Sequence, residues 1–405
     1  MDAYVARQPI FNTRKKIFGY ELLFRDSTAK FAPDIDGDTA TSTVLANTFF
    51  NIGIDTLIGG KKSFINFTQN LLVRKVPLLL PKEETVVEVL ENVEPIPELI
   101  EACQEMVNKG YTLALDDFEY SPELDPLINL AHIIKFDFRL SSMDQIASYL
   151  QQLPKRNGLK MLAEKVETYD EFEQAKQMGF DYFQGFFFCK PQLVKGKDVS
   201  GPQLNLLQIM AEVNRADFEF SSLEKLIAPD VSLSYKLLRY INSAFFAKAK
   251  EITSIQQALV YMGEAEIRRF VSLMAMSNLG KGKPDELIRA ACIRGKFCEL
   301  MGGISSDRSS SAELFTLGMF SLIDAIVDQP MMTVMKDLPL SERIKDALCH
   351  RRGELIGYLG LMECYEKGEW PLVARLADAL RIPQDKLPKL YQQACEWANT
   401  FPESE

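Results

Sequence analysis

One stretch decides the fold of the N-terminal half: Thr112-Leu113-Ala114-Leu115-Asp116-Asp117-Phe118. Four residues that suit a buried strand run directly into two adjacent carboxylates. A lysine lies inside a second apolar run, Ile133-Ile134-Lys135-Phe136-Asp137. Charged side chains are rarely buried unless they are paired, and such pairs are frequent at functional sites. Both runs are therefore predicted to be strands that carry functional groups.

Similar runs of β-branched and aromatic residues recur up to about residue 192, and most are separated by segments that could hold a helix. The predicted strands are Ile17–Arg25, Ser63–Phe67, Thr85–Leu90, Thr112–Phe118, Ile133–Phe138, Lys160–Val166 and Tyr182–Phe188. Strands that alternate with helices are typical of a parallel α/β fold. This many units in under 200 residues favours a closed, TIM-like (β/α) barrel over an open sheet.

The second half of the chain has a different pattern. A polar stretch with two glycines and a proline, residues 195–202, is predicted to be a linker. Beyond it the apolar residues follow helical spacing, for example Leu233, Leu237 and Ile241. The expected fold class is thus α/β plus all-α, with a barrel domain at 1–195 and a helical domain at 203–405.

Composition excludes several classes of function. The net charge of -10 argues against a general nucleic-acid binder or a protein that binds anionic membranes. The seven cysteines are widely spread and form no CxxC pair, and the start of the chain does not have the layout of a signal peptide, so a cytoplasmic location is expected. The only histidines are His132 and His350. A histidine-rich metal cluster is therefore excluded, and chemistry must use carboxylates, Lys, Asn, Gln or thiols.

Polar residues recur near the ends of the predicted strands: Glu21, Asn66, Glu88, Asp116, Asp117, Lys135, Glu164, Glu167 and Gln184. An isolated carboxylate at a strand end is usually a solvated or ion-paired surface group. In a barrel, however, strand ends converge on one mouth, where clustered carboxylates repel one another unless cations compensate them. Oxygen ligands select hard ions such as Mg²⁺ or Mn²⁺, and a pair of such ions suits in-line attack on a phosphate ester.

Residues 1–192 resemble an EAL domain, the bacterial cyclic di-GMP phosphodiesterase. The resemblance rests on short motifs in the family's order: Gln8-Pro9-Ile10, Glu21-Leu22-Leu23 for the signature acid-Ala-Leu, Ile65-Asn66-Phe67, Glu88-Val89-Leu90-Glu91, Leu115-Asp116-Asp117-Phe118, Lys135-Phe136-Asp137, Ala163-Glu164-Lys165-Val166-Glu167-Thr168 and Gln184-Gly185-Phe186. It implies hydrolysis of cyclic di-GMP to linear pGpG in second-messenger signalling, with motility and biofilm formation as outputs.

The resemblance also implies residue roles. The implied ligands of a two-metal Mg²⁺ or Mn²⁺ site are Glu21, Asn66, Glu88, Asp116, Asp117 and Glu164. The implied catalytic residues are Lys135, which would hold the attacking water, Glu164 as general base, and Glu21. The implied substrate contacts are Arg25, Gln8, Gln184 and Glu167. The loop after Asp117 departs from the family's Gly-Thr-Gly pattern, reading Glu119-Tyr120-Ser121-Pro122-Glu123-Leu124, so activity is expected to be weak or regulated.

Residues 203–405 resemble an HDOD domain, a helical relative of the HD phosphohydrolases, through residues 230–246 and 252–263. Ser321 and Leu322 stand where a catalytic His-Asp pair would be expected, so a helical hydrolase is set aside. Two hypotheses remain: a phosphodiesterase whose HDOD domain regulates it or binds a protein partner, and a catalytically silent adaptor that binds cyclic di-GMP or a protein. A homodimer stays open, and neither nucleic acid nor membrane is an expected partner.

Overall fold

The computed structural model describes residues 3–26, 57–154, 158–190, 209, 213, 219–228, 231–242, 252–279, 283–305, 311–337 and 340–399. The chain forms two compact units. The first comprises residues 1–190, 363–378 and 383–405, and the second comprises residues 191–362 and 379–382.

The first unit contains a closed barrel of eight strands: β1 (Ala3–Asn12), β2 (Ile17–Asp26), β3 (Lys62–Phe67), β4 (Thr85–Val89), β5 (Thr112–Leu115), β6 (Ile133–Asp137), β7 (Lys160–Glu164) and β8 (Tyr182–Gln184). Its helices between strands are α1 (Gln69–Val73), α2 (Pro97–Asn108), α3 (Asp125–Leu130), α4 (Met143–Gln152) and α5 (Tyr169–Gln177). The expected TIM-like barrel is confirmed.

Strand β1 was not predicted, and it changes the topology. It pairs antiparallel with both β2 and β8, whereas β2 to β8 are parallel to one another. The turn at 13–16 is held by Asn12, whose Oδ1 accepts the backbone N–H groups of Arg14 at 2.9 Å and Lys16 at 3.1 Å. At the other end of the barrel sequence, the predicted last strand stops at Gln184, because Phe186–Cys189 forms a 3-10 turn.

The described regular elements of the second unit are helices, as expected: α6 (Phe220–Ile227), α7 (Val231–Ile241), α8 (Ile255–Leu279), α9 (Asp285–Ile304), α10 (Ser311–Phe320), α11 (Ile323–Val327), α12 (Met331–Asp337) and α13 (Glu342–His350). Helix α8 is interrupted at Gly263, which has φ 70°. Helices α9 and α10 approach closely at Gly318, where a Cβ would lie 2.3 Å from the carbonyl oxygen of Arg294. Among the described helices, none combines the length and apolar character that a membrane span needs.

Three helices complete the chain: α14 (Ile356–Lys367), α15 (Trp370–Ala379) and α16 (Leu387–Asn399). Helix α16 packs against β1, and Gly368 lies against the side chain of Leu23. The connection between β1 and β2 is a tight turn and contains no crossover helix, and among the described helices α16 packs on β1. The compact units thus group residues 363–378 and 383–405 with the barrel. The domain limits 1–195 and 203–405 stay predictions, and the whole of the proposed linker, residues 195–202, lies outside the described residues.

Candidate functional site

The candidate site is the second layer of side chains inside the barrel. The layer below it is apolar and almost fully buried, formed by Ile10, Phe64, Val86, Ala114, Ile133 and Leu162. Side chains two residues apart on a strand point to the same face. The next inward positions are therefore Asn66, Glu88, Lys135 and Glu164 on β3, β4, β6 and β7, Asp116 directly after β5, and Gln8 on the antiparallel β1. The period of the strands thus places the polar residues in one ring above an apolar floor.

Lys135 lies at the centre of this ring and is completely buried. Its Nζ is 2.5 Å from Glu88 Oε1, 2.7 Å from Asp116 Oδ1, 2.9 Å from Glu164 Oε1 and 3.9 Å from Glu21 Oε1. One ammonium group thus faces four carboxyl groups. Full ionisation would leave uncompensated negative charge in a buried place, which is costly without further cations.

Glu21 is held by amide groups on both sides. Asn66 Nδ2 donates to its Oε1 at 3.0 Å, and Gln184 Nε2 donates to its Oε2. Gln184 Nε2 also donates to Gln8 Oε1 at 3.1 Å. Glu21 lies in the middle of β2 and not near its end, where it was expected.

Several buried oxygens of the ring accept no hydrogen bond from the described residues: Asn66 Oδ1, Glu88 Oε2, Glu164 Oε2 and Gln184 Oε1. Buried acceptors normally have a partner. Asp116, Asp117 and Glu164 also each offer an oxygen within 4.8 Å of the others. Oxygen-only donors with spare lone pairs fit Mg²⁺ or Mn²⁺. The residues present therefore fit the implied divalent metals.

The charges of the ring perturb one another. Burial raises the pKa of Glu88 and of Glu164 well above its ordinary value, although Lys135 acts in the opposite direction. Burial also acts to lower the pKa of Lys135, but the surrounding carboxylates, Glu164 first, raise it well above its ordinary value. Lys135 thus keeps its charge, and a divalent cation that binds Glu88 and Glu164 would displace protons from these two acids.

Phe118, which directly precedes the departing loop at 119–124, is anchored to the next strand. Asp117 adopts a left-handed backbone with φ 39°. The N–H of Phe118 donates to the carbonyl oxygen of Lys135 at 2.9 Å, and the Phe118 ring packs on Phe136 with centroids 5.6 Å apart. These contacts hold the two strand ends that carry Asp117 and Lys135 together.

Two of the predicted substrate contacts, Glu167 and Arg25, are not seen in the buried ring. Glu167 is half-exposed and forms ion pairs with Lys190 at 3.1 Å and Arg139 at 3.8 Å, not with the buried ring. Arg25 lies in β2, but its side chain is outside the described part of the structure.

Sequence reasoning missed the pair formed by Lys165 and Asp137 at the ends of β7 and β6. The motif Lys135-Phe136-Asp137 contained the acid, but nothing in the sequence pattern indicated a partner for it.

The EAL domain family matches residues 39–191, a match that begins after Glu21, and the HDOD domain family matches residues 202–329. Cyclic di-GMP phosphodiesterase CdgJ of Vibrio cholerae serotype O1 is 40% identical over 91% of this chain and 85% of its own length. Protein YuxH of Bacillus subtilis is 34% identical over 99% of both chains. The chain belongs to the EAL–HDOD family.

Solved structures similar to this EAL–HDOD protein include BlrP1 of Klebsiella pneumoniae in a calcium and cyclic di-GMP complex, with 21% identity and a TM-score of 0.39. That match covers 46% of this chain and 55% of BlrP1. YkuI of Bacillus subtilis, which has an EAL domain, has 18% identity and a TM-score of 0.39, covering 57% of this chain and 72% of YkuI.

The HDOD part contains no comparable metal site among its described residues. Ser321, at the position expected for the missing His-Asp pair, donates to the carbonyl oxygen of Gly318 at 2.7 Å and accepts from Arg294 Nη1 at 3.1 Å. These contacts fasten the end of α10 to α9, which is a structural role.

Proposed function

We propose that this EAL–HDOD protein hydrolyses cyclic di-GMP to linear pGpG with two Mg²⁺ or Mn²⁺ ions. The observation that carries the proposal is the buried ring, in which four carboxyl groups surround one ammonium group while several acceptor oxygens have no partner among the described residues. Such a ring is expensive as a purely structural core. In a metal site, two divalent cations would compensate the negative charge of the ring.

The ring divides into two sets of ligands. Glu21, Asn66, Glu88 and Asp116 would hold one cation, and Asp116, Asp117 and Glu164 would hold the second, so that Asp116 serves both. Bound divalent cations supply charge that stabilises the entering and the leaving oxygen of an in-line displacement.

The protein's own groups then perform the remaining steps. The Lys135 ammonium donates a hydrogen bond to the attacking water and fixes its position. Glu164 accepts a proton from that water as it adds to phosphorus. The bond between phosphorus and the 3′ oxygen breaks, that oxygen takes a proton from solvent water, Glu164 returns its proton to solvent, and the ring opens to pGpG. Arg25, Gln8, Gln184 and Glu167 are proposed to contact the dinucleotide.

The alternative is a silent adaptor that binds cyclic di-GMP or a protein, and the altered loop at 119–124 is its basis. The anchoring of Phe118 speaks against it, because that contact holds the two strand ends that carry Asp117 and Lys135 although the loop sequence differs. A ring freed from catalysis would also gain stability by exchanging its buried acids for apolar residues.

The test is incubation of the purified full chain with cyclic di-GMP and Mg²⁺ or Mn²⁺, followed by chromatography of the nucleotides. We expect pGpG to form, and Glu21→Gln and Asp116→Asn to lower turnover by about a hundredfold or more while the fold persists. Lys160→Met is the matched control, since Lys160 is on β7 but pairs with Asp181 in solvent. Binding of cyclic di-GMP without product in either metal would favour the adaptor.

We further propose a cytoplasmic location, supported by seven free cysteines. A protein partner for the HDOD domain and a homodimer are the remaining proposals about its partners, and the mass of the full chain in solution tests the second.

A further inference from the structure

Lys165 has an unusual backbone for a residue with a side chain. It follows Glu164 directly, where β7 ends, and has φ 53°, in the left-handed region. Glycine adopts this conformation freely, whereas a Cβ disfavours it. The backbone at this position therefore does not call for lysine. Strained residues of this kind are concentrated at functional sites.

The side chain of Lys165 is exposed to solvent although the residue directly follows a member of the buried ring. The neighbouring Glu164 side chain is only 7% exposed, whereas that of Lys165 is 56% exposed. Lys135, the cation of the ring, is completely buried and surrounded by acids. The exposed ammonium group of Lys165 can contact a large ligand that arrives from solvent, whereas the buried Lys135 cannot.

Asp137 holds the Lys165 ammonium in place. The two form an ion pair, and the Asp137 side chain is almost fully buried. Its Oδ1 accepts the N–H groups of Arg139 at 2.6 Å and Leu140 at 3.1 Å, so the turn after β6 fixes the carboxylate. The ion pair with this fixed carboxylate therefore holds the Lys165 ammonium group in one position.

The position of this cation has opposite consequences for two ligands. Lys165 interacts electrostatically with Asp117 and Glu164, two proposed metal ligands. A positive charge there attracts an anionic substrate toward an acidic mouth that would otherwise repel it. The same charge slightly repels a divalent cation. Substrate affinity and metal affinity should therefore respond to its removal in different directions.

We propose that the ammonium group of Lys165, held by Asp137, binds a phosphate of the cyclic dinucleotide at the rim of the barrel. This inference rests on the proposed phosphodiesterase function. It assigns to Lys165 a role in substrate affinity and not in metal binding or in the chemical step.

The test compares Lys165→Met with Lys160→Met in the full chain. Lys160 is the first residue of β7, is 46% exposed and pairs with one aspartate, Asp181. Both variants thus remove one exposed lysine charge, Lys160→Met at the start of β7 and Lys165→Met just after its end. We expect Lys165→Met to raise KM for cyclic di-GMP by about tenfold with kcat nearly unchanged. Mn²⁺ affinity, measured by titration without nucleotide, should be unchanged or slightly higher. Lys165→Arg should restore KM, and Lys160→Met should resemble wild type.

A second variant guards against misfolding. Lys165→Gly also loses the ion pair with Asp137, but it suits the left-handed backbone, so it should be more stable than Lys165→Met and show the same rise in KM. An unchanged KM in both variants, or a loss of Mn²⁺ binding with the rise in KM, would overturn the proposal. Equilibrium binding of cyclic di-GMP in Ca²⁺ separates this inference from the proposed function. If wild type makes no pGpG but both variants bind the nucleotide about tenfold more weakly, the phosphate contact stands and the hydrolytic function fails.

Discussion

Replacing Lys135 by methionine should reveal how much the buried ring depends on its single ammonium group. The substitution keeps the length of the side chain but leaves Glu88, Asp116 and Glu164 without the cation that lies within 2.9 Å of each. Removing one partner of a buried ion pair costs about 3–5 kcal/mol, since the remaining charges stay buried. For a domain of this size, that corresponds to a fall in melting temperature of roughly 6–20 °C.

The assay is thermal unfolding of the full chain in EDTA and again in excess Mg²⁺, with Lys160→Met as the control. That control removes the same charge from a surface pair, which is worth at most about 1 kcal/mol. Mg²⁺ should restore most of the stability of Lys135→Met, because divalent cations compensate the same carboxylates. Turnover should stay low even so, because no group then holds the attacking water.

Two results would refute this reasoning. Equal melting temperatures for Lys135→Met and Lys160→Met in EDTA would mean that the ammonium group does not stabilise the ring. Full turnover of Lys135→Met in Mg²⁺ would mean that Lys135 does not position the water.

Three further outcomes are expected. Burial raises the pKa of Glu88 above its ordinary value of 4.5. The stability that the protonated Glu88 carboxyl contributes is therefore complete below about pH 4.5 and is lost as pH rises through the raised pKa. The melting temperature in EDTA should accordingly fall with rising pH, and Mg²⁺ should make that fall smaller. Gly185→Ala should lower the melting temperature far more than Gly179→Ala: both positions have positive φ, but only at Gly185 would the Cβ overlap backbone, 2.1 Å from the carbonyl oxygen of Val166. Ca²⁺ in place of Mg²⁺ should permit nucleotide binding but suppress turnover, a point that pGpG chromatography checks, because its longer and looser coordination misplaces the reacting oxygens.

The ring was predictable because it follows from the period of a strand. Once β5 and β6 are recognised, Asp116 and Lys135 must point inward two residues after Ala114 and Ile133, and a barrel brings all such positions together. The pair of Lys165 and Asp137 was not predictable in the same way. It depends on a left-handed residue after β7 and on a turn after β6, and neither conformation leaves a periodic signal in the sequence.

The missed β1 and the unexpected place of the C-terminal helices have one physical cause. Helical spacing shows that α16 has an apolar face but not what covers it. The tight turn between β1 and β2 contains no crossover helix, and among the described helices α16 packs on β1 with Tyr391 almost fully buried. Both ends of the chain therefore build the barrel unit, and residues 191–362 are inserted between them in sequence. A fragment ending near residue 197 would lose that cover, so lower activity in such a fragment would not by itself demonstrate regulation by the HDOD domain. Substitutions within the helical unit of the full chain are the sound test of regulation, because they leave the outside of β1 covered.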